Sequence, residues 1–185
     1  MKLNLGSGED YQTGYINVDL YASNANMKFD LNKIPYPFID SSIDEILMKH
    51  TLEHLDKPIN VVNEMIRICK SGAKLIIEVP HYNHSAAVEA AHKTFFNDTW
   101  FNYWIPTNEH QKNYPRNGTL KLIKIIQKPT ILGYCVPFSR LRMFLTKVLN
   151  VPLIFSLTFI LEVNKNDGKT IISGHRKNKG KSSII

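Results

Sequence analysis

Three groups of residues in this chain have the types and spacing to bind or move something. The first is Lys2-Leu3-Asn4-Leu5-Gly6-Ser7-Gly8, with Asp19 shortly after it. An apolar extended run that stops at Gly-x-Gly brings bare backbone N–H groups close to a ligand, where a Cβ would intrude. Tyr15-Ile16-Asn17-Val18 reads as a second strand whose carboxyl end delivers Asp19. An acid in that place suits a pair of ribose hydroxyls. This is not the dinucleotide fingerprint, because position 11 is Tyr11 rather than glycine and the acid comes too early. The second group repeats the device: Met27-Lys28-Phe29 ends in Asp30, followed by Leu31. The third is a set of histidines, His50, His54, His81, His84 and His92, with Glu53 between the first two.

His50-Thr51-Leu52-Glu53-His54 spells H-x-x-E-H, a zinc-protease pattern. That chemistry requires both histidines on one face of a sustained helix, with a further ligand downstream. A buried strand up to Lys49 and a proline at Pro58 leave room for about one helical turn. Glu53 and His54 are therefore read as satisfying loop backbone, no metal is expected, and a metalloprotease is the minor alternative. His81, His84 and His92 are each competent ligands, but no carboxylate at a useful spacing accompanies them. They read instead as lining a pocket or a hydrated surface.

The elements that must position these residues follow from the apolar pattern. Ser41 to Met48 is a buried strand stopping at Lys49-His50. Pro58 to Lys70 is the best helix: Asp56 can cap it, Pro58 suits its first turn, and Ile59, Val62, Ile66 and Cys69 share a face. Lys70 complements the helix dipole and Gly72 ends the helix. Ala73 to Val79 is a buried strand closed by Pro80. Strand, helix, strand at these lengths predicts a parallel sheet. Beyond Pro80 the segment from His81 to Trp104 is crowded with aromatics, and Asn97-Asp98-Thr99 can cap a short helix ended by Pro106. Thr107 to Gly118 is loop-like, while Leu120 to Ile126 and Thr130 to Val136 favour β structure. Phe138 to Leu149 reads as an amphipathic helix and Leu157 to Val163 as the last strand.

Length and composition fit one soluble domain: 185 residues, 43% hydrophobic and 21% charged. Cys69 and Cys135 sit in apolar contexts and read as reduced core residues. No charged-then-apolar leader opens the chain, and the expected location is the cytoplasm. The net charge of +7 is concentrated at the end, where Lys169, Arg176, Lys177, Lys179 and Lys181 follow the last acid, Asp167. Residues 1–166 then form one nearly balanced domain and 167–185 a basic, disordered tail, an arrangement that argues against nucleic acid.

Leu3-Asn4-Leu5-Gly6-Ser7-Gly8, Asn17-Val18-Asp19, Phe29-Asp30-Leu31, Pro37 to Ile46 and His50-Thr51-Leu52-Glu53-His54-Leu55 come in the order of the class I S-adenosylmethionine-dependent methyltransferases. The chain most resembles their small type 11 subgroup, whose members often accompany sugar and cell-surface polysaccharide genes. The resemblance is close up to Pro80 and looser through His92-Lys93-Thr94-Phe95-Phe96. It implies an α/β, Rossmann-like, seven-stranded, mostly parallel sheet with flanking helices, S-adenosylmethionine as cofactor, and methyl transfer. Gly6 and Gly8 would approach the methionine part, Asp19 the ribose, and Asp30 with the Leu31 backbone the adenine. His50 would line the methionine side and face a small-molecule or sugar acceptor.

If the acceptor is a hydroxyl, a histidine is the natural base. His81, directly after the fifth strand, is the first choice and His50 the second. One departure stands out: only Glu9 to Gly14 joins the first two strands, whereas a parallel crossover usually takes a dozen residues or more. The first crossover helix must be truncated, and a degenerate Rossmann-like binding module is the main alternative. The helix carrying Arg140, Arg142 and Lys147, with Phe138, Leu141, Phe144 and Leu145 opposite, is read as covering the sheet. Peripheral membrane contact through those three cations is the other reading.

Overall fold

Lys2–Leu5 (β1), Ile16–Val18 (β2), Ile43–Lys49 (β3) and Cys69–Pro80 (β4) pair in parallel. Thr119–Pro129 (β5) and Ile154–Asn164 (β6) complete the sheet antiparallel, in the order β2-β1-β3-β4-β6-β5. This computed structural model describes residues 1–105 and 118–165; the tail at 167–185 and the loop-like stretch at 106–117 lie outside them. Leu3, Leu5, Ile46, Met48, Leu75, Ile77, Val79, Phe159 and Leu161 have no exposed surface, as strands covered on both faces require. Among the described residues the sheet is one strand short of seven. Beyond β2, the expected edge strand at Met27 is reduced to a single parallel bridge between Val18 and Met27.

The connection from β1 to β2, residues 6–15, contains no helix. Side chains replace it. Asn4 and Asn17 are buried register partners on β1 and β2, and Asn4 Nδ2 donates to Asn17 Oδ1 (2.9 Å) and to the Asp10 carbonyl (2.8 Å). Asn17 Nδ2 reaches the Gln12 carbonyl (3.0 Å), and its Oδ1 accepts from Gln12 N–H (2.8 Å). A crossover too short for its own helix leaves backbone groups unpaired. This amide ladder satisfies several of them and fixes the loop.

Pro58–Ile68 (α1) crosses from β3 to β4 and buries Val61, Val62, Met65, Ile66 and Ile68. At about 2 kcal/mol per side chain, that face contributes roughly 10 kcal/mol before conformational entropy is subtracted. Its ends differ from the sequence reading. Lys57, not Asp56, is the capping residue, and Asp56 instead pairs with Lys93 (2.5 Å). The helix stops at Ile68 because Cys69 is already captured in the ladder opposite Ile43. Lys70 then reaches Asp44 (2.7 Å), Gly72 lies within β4, and Ile59 is exposed rather than packed.

Thr130 to Val136 is not a strand. The Thr130 hydroxyl donates to the Pro152 carbonyl (2.9 Å) and accepts from Gly133 N–H (3.1 Å), capping a short helix, Ile131–Tyr134 (α2). Ser139–Leu149 (α3) forms as expected but is turned over. Arg142 and Thr146 are its buried residues, while Phe138, Leu141, Phe144 and Val148 are exposed. Arg142 spends its guanidinium on the carbonyls of Val136 and Pro137. Of the two cysteines, Cys69 is buried as expected and Cys135 is exposed, correcting its core assignment. Among the described residues no helix is long and apolar enough to cross a membrane.

Candidate active site

The carboxyl ends of β1, β2 and β3 meet at one edge of the sheet. Gly6 and Ser7 both donate their N–H groups to the Val18 carbonyl (2.8 and 3.0 Å), which folds the loop after β1 back over β2. Gly6 has φ +69, and a Cβ there would lie 2.2 Å from Thr51 Oγ1 on the turn after β3. Only glycine fits between those two loops. Gly8 has φ +48, and its missing Cβ would point into open space. The Ser7 hydroxyl is buried without a partner among the described residues. A bare glycine facing outward beside an orphaned hydroxyl suits a bound ligand.

Asp19 anchors this cradle. Its Oδ2 accepts from Gly8 N–H (2.9 Å), and its Oδ1 accepts from Tyr21 N–H (2.8 Å) and Ala22 N–H (2.9 Å). Partial burial raises its pKa, but the three N–H groups and nearby Lys28 outweigh that and hold the carboxyl below its ordinary value. A carboxylate offers about four lone-pair directions. Three are taken, so one remains for a ligand hydroxyl.

The neighbouring pair is adjacent through the Val18–Met27 bridge. Asp30 accepts from Asn32 N–H (2.9 Å), and the buried Leu31 gives its carbonyl to the Tyr36 hydroxyl (2.9 Å). Two cavities of about 340 and 420 Å³ flank the start of α1, lined by residues including Asn32, Asp56, Lys57, Asn60 and Trp100. Neither is lined by Gly6, Gly8, Asp19 or His50.

His50 follows β3 with φ +47 and stands half-exposed between two carboxylates. Its Nδ1 lies 3.4 Å from Glu53 and its Nε2 3.4 Å from Glu78. Glu53, then Glu78, push the imidazole pKa up to about 9. Glu78 is in turn brought down to about 2 by His50, against its burial and with help from the Ser156 hydroxyl (2.9 Å). His50 is therefore charged at neutral pH.

His81 is placed differently from the sequence reading. It has no exposed surface, its backbone sits between Phe155 and the Phe96 bridge, and its Nε2 has no partner among the described residues. Burial depresses its pKa to about 4, with Asp98 opposing and Lys147 and His84 assisting. A sealed, weakly basic ring is poorly suited to take a proton from an acceptor. The aromatic segment follows the same course: Phe96, Phe101 and Trp104 are core residues, and Trp104 donates to Asn63 (2.8 Å).

The fold also brings to this site Ser7, Thr51, Glu78 and the Asn4–Asn17 pair, none of which the sequence singled out. The matched asparagines in Leu3-Asn4-Leu5 and Ile16-Asn17-Val18 were a legible signal, since a polar residue at the same register in two buried strands calls for a partner. Thr51 and Glu78 carried none, because their roles arise only where β3 and β4 end side by side.

With the geometry established, comparison with known proteins adds family and fold. The methyltransferase-domain family matches residues 3–77. No curated protein matches the chain. Among solved structures, an S-adenosylmethionine-dependent methyltransferase from Archaeoglobus fulgidus aligns with TM-score 0.55 at 13% identity, over 87% of this chain and 85% of its own. YcgJ of Bacillus subtilis aligns with TM-score 0.53 at 15% identity, over 89% and 92%. The [4+2]-cyclase SpnF aligns with TM-score 0.53 at 8% identity, over 89% and 75%. Residues 3–77 thus match the methyltransferase-domain family, and the chain has the Rossmann-like fold that these solved structures share.

Proposed function

We propose that this chain binds S-adenosylmethionine and transfers its methyl group to a small molecule or a sugar, including precursors of cell-surface polysaccharide. The observation that carries this reading is the joining of three strand ends: Thr51 packs on Gly6, and Gly8 is latched to Asp19 (2.9 Å). When bound, the cofactor supplies a methyl group already activated on a sulfonium. Asp19 has one acceptor site left for a ribose hydroxyl, the Ser7 hydroxyl and the loop amides meet the methionine end, and Asp30 with Leu31 borders the base.

On the acceptor side His81 is buried, and half-exposed His50 takes an electrostatic role rather than that of a base. A ring charged at neutral pH and held between Glu53 and Glu78 donates hydrogen bonds and does not collect a proton. With both ring N–H groups directed at carboxylates, its service is a fixed positive charge beside the acceptor, in keeping with chemistry that needs alignment and exclusion of water more than a strong base. The Phe155 ring stands 6.4 Å from this ring and 5.3 Å from Lys128 Nζ, and Gln127 ties the same end of β5 to Ser139 of α3. The outward row Phe138, Leu141, Phe144 and Val148, with Arg140 beside it, thus borders the acceptor side. It supports peripheral contact with an anionic membrane and an acceptor presented there, such as a lipid-linked sugar. Arg142 and Lys147 are engaged elsewhere and leave that face to Arg140.

The test is calorimetric titration with S-adenosylhomocysteine, then a methyl-transfer screen over sugars, lipid-linked sugars and small metabolites. Cofactor binding with methylated product supports the reading. Binding without turnover on any acceptor favours the binding-module alternative, which the helix-free first crossover supports. Absence of binding refutes both.

A further inference from the structure

The H-x-x-E-H segment has a second life in the tertiary structure. His50 and His54 do not share a ligand site. Leu52–His54 is one turn of 3-10 helix, and its Glu53 and His54 meet His92 from a loop 38 residues further on. A Glu53 carboxylate oxygen and one ring nitrogen each of His54 and His92 lie within 4.8 Å of one another.

Three observations point to a ligand there. Glu53 has no exposed surface, and among the described residues neither carboxylate oxygen has a hydrogen-bond partner; His50 Nδ1 stands 3.4 Å from Oε1. A buried carboxylate so poorly satisfied is costly. Second, both histidines are oriented from behind. His54 Nδ1 lies 3.2 Å from the Ala91 carbonyl and His92 Nδ1 lies 3.2 Å from the Ala87 carbonyl. A carbonyl can only accept, so each Nδ1 carries the hydrogen and each Nε2 keeps its lone pair. That is the arrangement that orients a metal-binding imidazole. Third, the two loops are already fastened: Lys93 N–H donates to the Glu53 carbonyl (2.7 Å), and Lys93 Nζ pairs with Asp56 (2.5 Å).

We propose that Glu53, His54 and His92 form a binding site for a divalent transition metal of the zinc type, one that clamps the 89–93 loop to the turn after β3. Two imidazoles and one carboxylate are a donor set that zinc accepts, with a fourth position left over. Glu89, whose Oε2 is 3.9 Å from His92 Nε2, stands beside that position. A point equidistant from three atoms 4.8 Å apart is about 2.8 Å from each, so closing to ~2.0–2.1 Å needs side-chain shifts below about 1 Å. The site does not depend on methyl transfer, and its occupancy is measurable without cofactor or acceptor.

The experiment uses the full chain, free of any affinity tag and stripped with chelator, titrated with zinc and separately with cobalt(II). The expected result is one equivalent bound, intense visible cobalt absorption of a four-coordinate centre, and a melting temperature raised by roughly 5–10 °C at a hundredfold excess over Kd. His54→Ala and His92→Ala should each weaken binding by about 100-fold, and His84→Ala should leave it unchanged. Stoichiometric binding that survives both ligand substitutions overturns the assignment, as does loss on His84→Ala. Should His92→Ala fail to fold, the parent's cobalt spectrum decides: pale octahedral absorption, or less than half an equivalent bound, overturns the site.

Discussion

Replacing Asp19 by alanine separates what this residue does for the fold from what it does for a ligand. Three backbone N–H groups, of Gly8, Tyr21 and Ala22, converge on its carboxylate at 2.8–2.9 Å. A hydrogen bond to a charged group is worth ~1.5–3 kcal/mol when sheltered. Asp19 is only partly buried, so water takes over much of that and the net loss of stability should be about 1–2 kcal/mol. For a chain of this length that lowers the melting temperature by roughly 2–8 °C. The ligand loses the one remaining acceptor site, worth ~1.5–3 kcal/mol, so S-adenosylhomocysteine should bind roughly 10- to 100-fold more weakly. Asp19→Asn keeps an oxygen for Tyr21 and Ala22 but turns an amide donor toward Gly8 N–H. It should recover part of the stability and little of the affinity. Calorimetry well below the lowest melting temperature, with folding checked by circular dichroism, measures both. A folded Asp19→Ala protein that binds like the parent would refute the ribose assignment.

Two glycines should fail in opposite ways. Gly6→Ala places a Cβ 2.2 Å from Thr51 Oγ1 at φ +69 and should cost about 3 kcal/mol, whereas Gly8→Ala points into open space and should cost only about 1 kcal/mol while weakening cofactor binding. Thermal melts and calorimetry on the pair check this, and equal melting temperatures would count against the Gly6–Thr51 contact. His81 carries a pH prediction. Its folded pKa of about 4 lies below the ordinary 6.5, so the unfolded chain binds the proton first, and stability is full above pH 6.5 and falls as pH drops toward 4. The integrated loss is about 3 kcal/mol, and His81→Gln should remove that part of the acid lability; identical acid melts would mean the ring is not sealed. Finally, the parent should float with anionic vesicles and Phe138→Ser with Phe144→Ser should not, while co-sedimentation unaffected by that pair would remove the membrane contact.

The parallel half of the sheet was legible because its strands are short, largely apolar runs that stop at or just before glycine, acid or histidine, and such runs have few alternatives. Leu3, Leu5, Ile46 and Ile77 are buried whatever the helices do. The cradle was legible for the same reason: Gly6, Gly8 and Asp19 lie at strand ends, and parallel pairing brings strand ends to one edge. Element ends were less so, as Asp56, Lys70 and Gly72 show, since the ladder at Cys69 outcompetes a further turn of α1.

The sequence by itself therefore determined the α/β class, the βαβ unit, the short first crossover and the meeting of Gly6, Gly8 and Asp19 at one edge of the sheet. Local pattern and chain length are enough for these. Only the tertiary structure decided the fates of the histidines and of α3. His81 and His50 each follow a strand, yet one is sealed beneath Phe96 and Phe155 and the other stands between Glu53 and Glu78. The amphipathic period of α3 was plain, but which side faces inward was fixed by Arg142 finding the carbonyls of Val136 and Pro137. Glu53, His54 and His92 meet because Lys93 pairs with the backbone of Glu53 across a long loop. A side chain's charge, exposure and partners depend on what other segments bring to it, and those segments are distant in sequence.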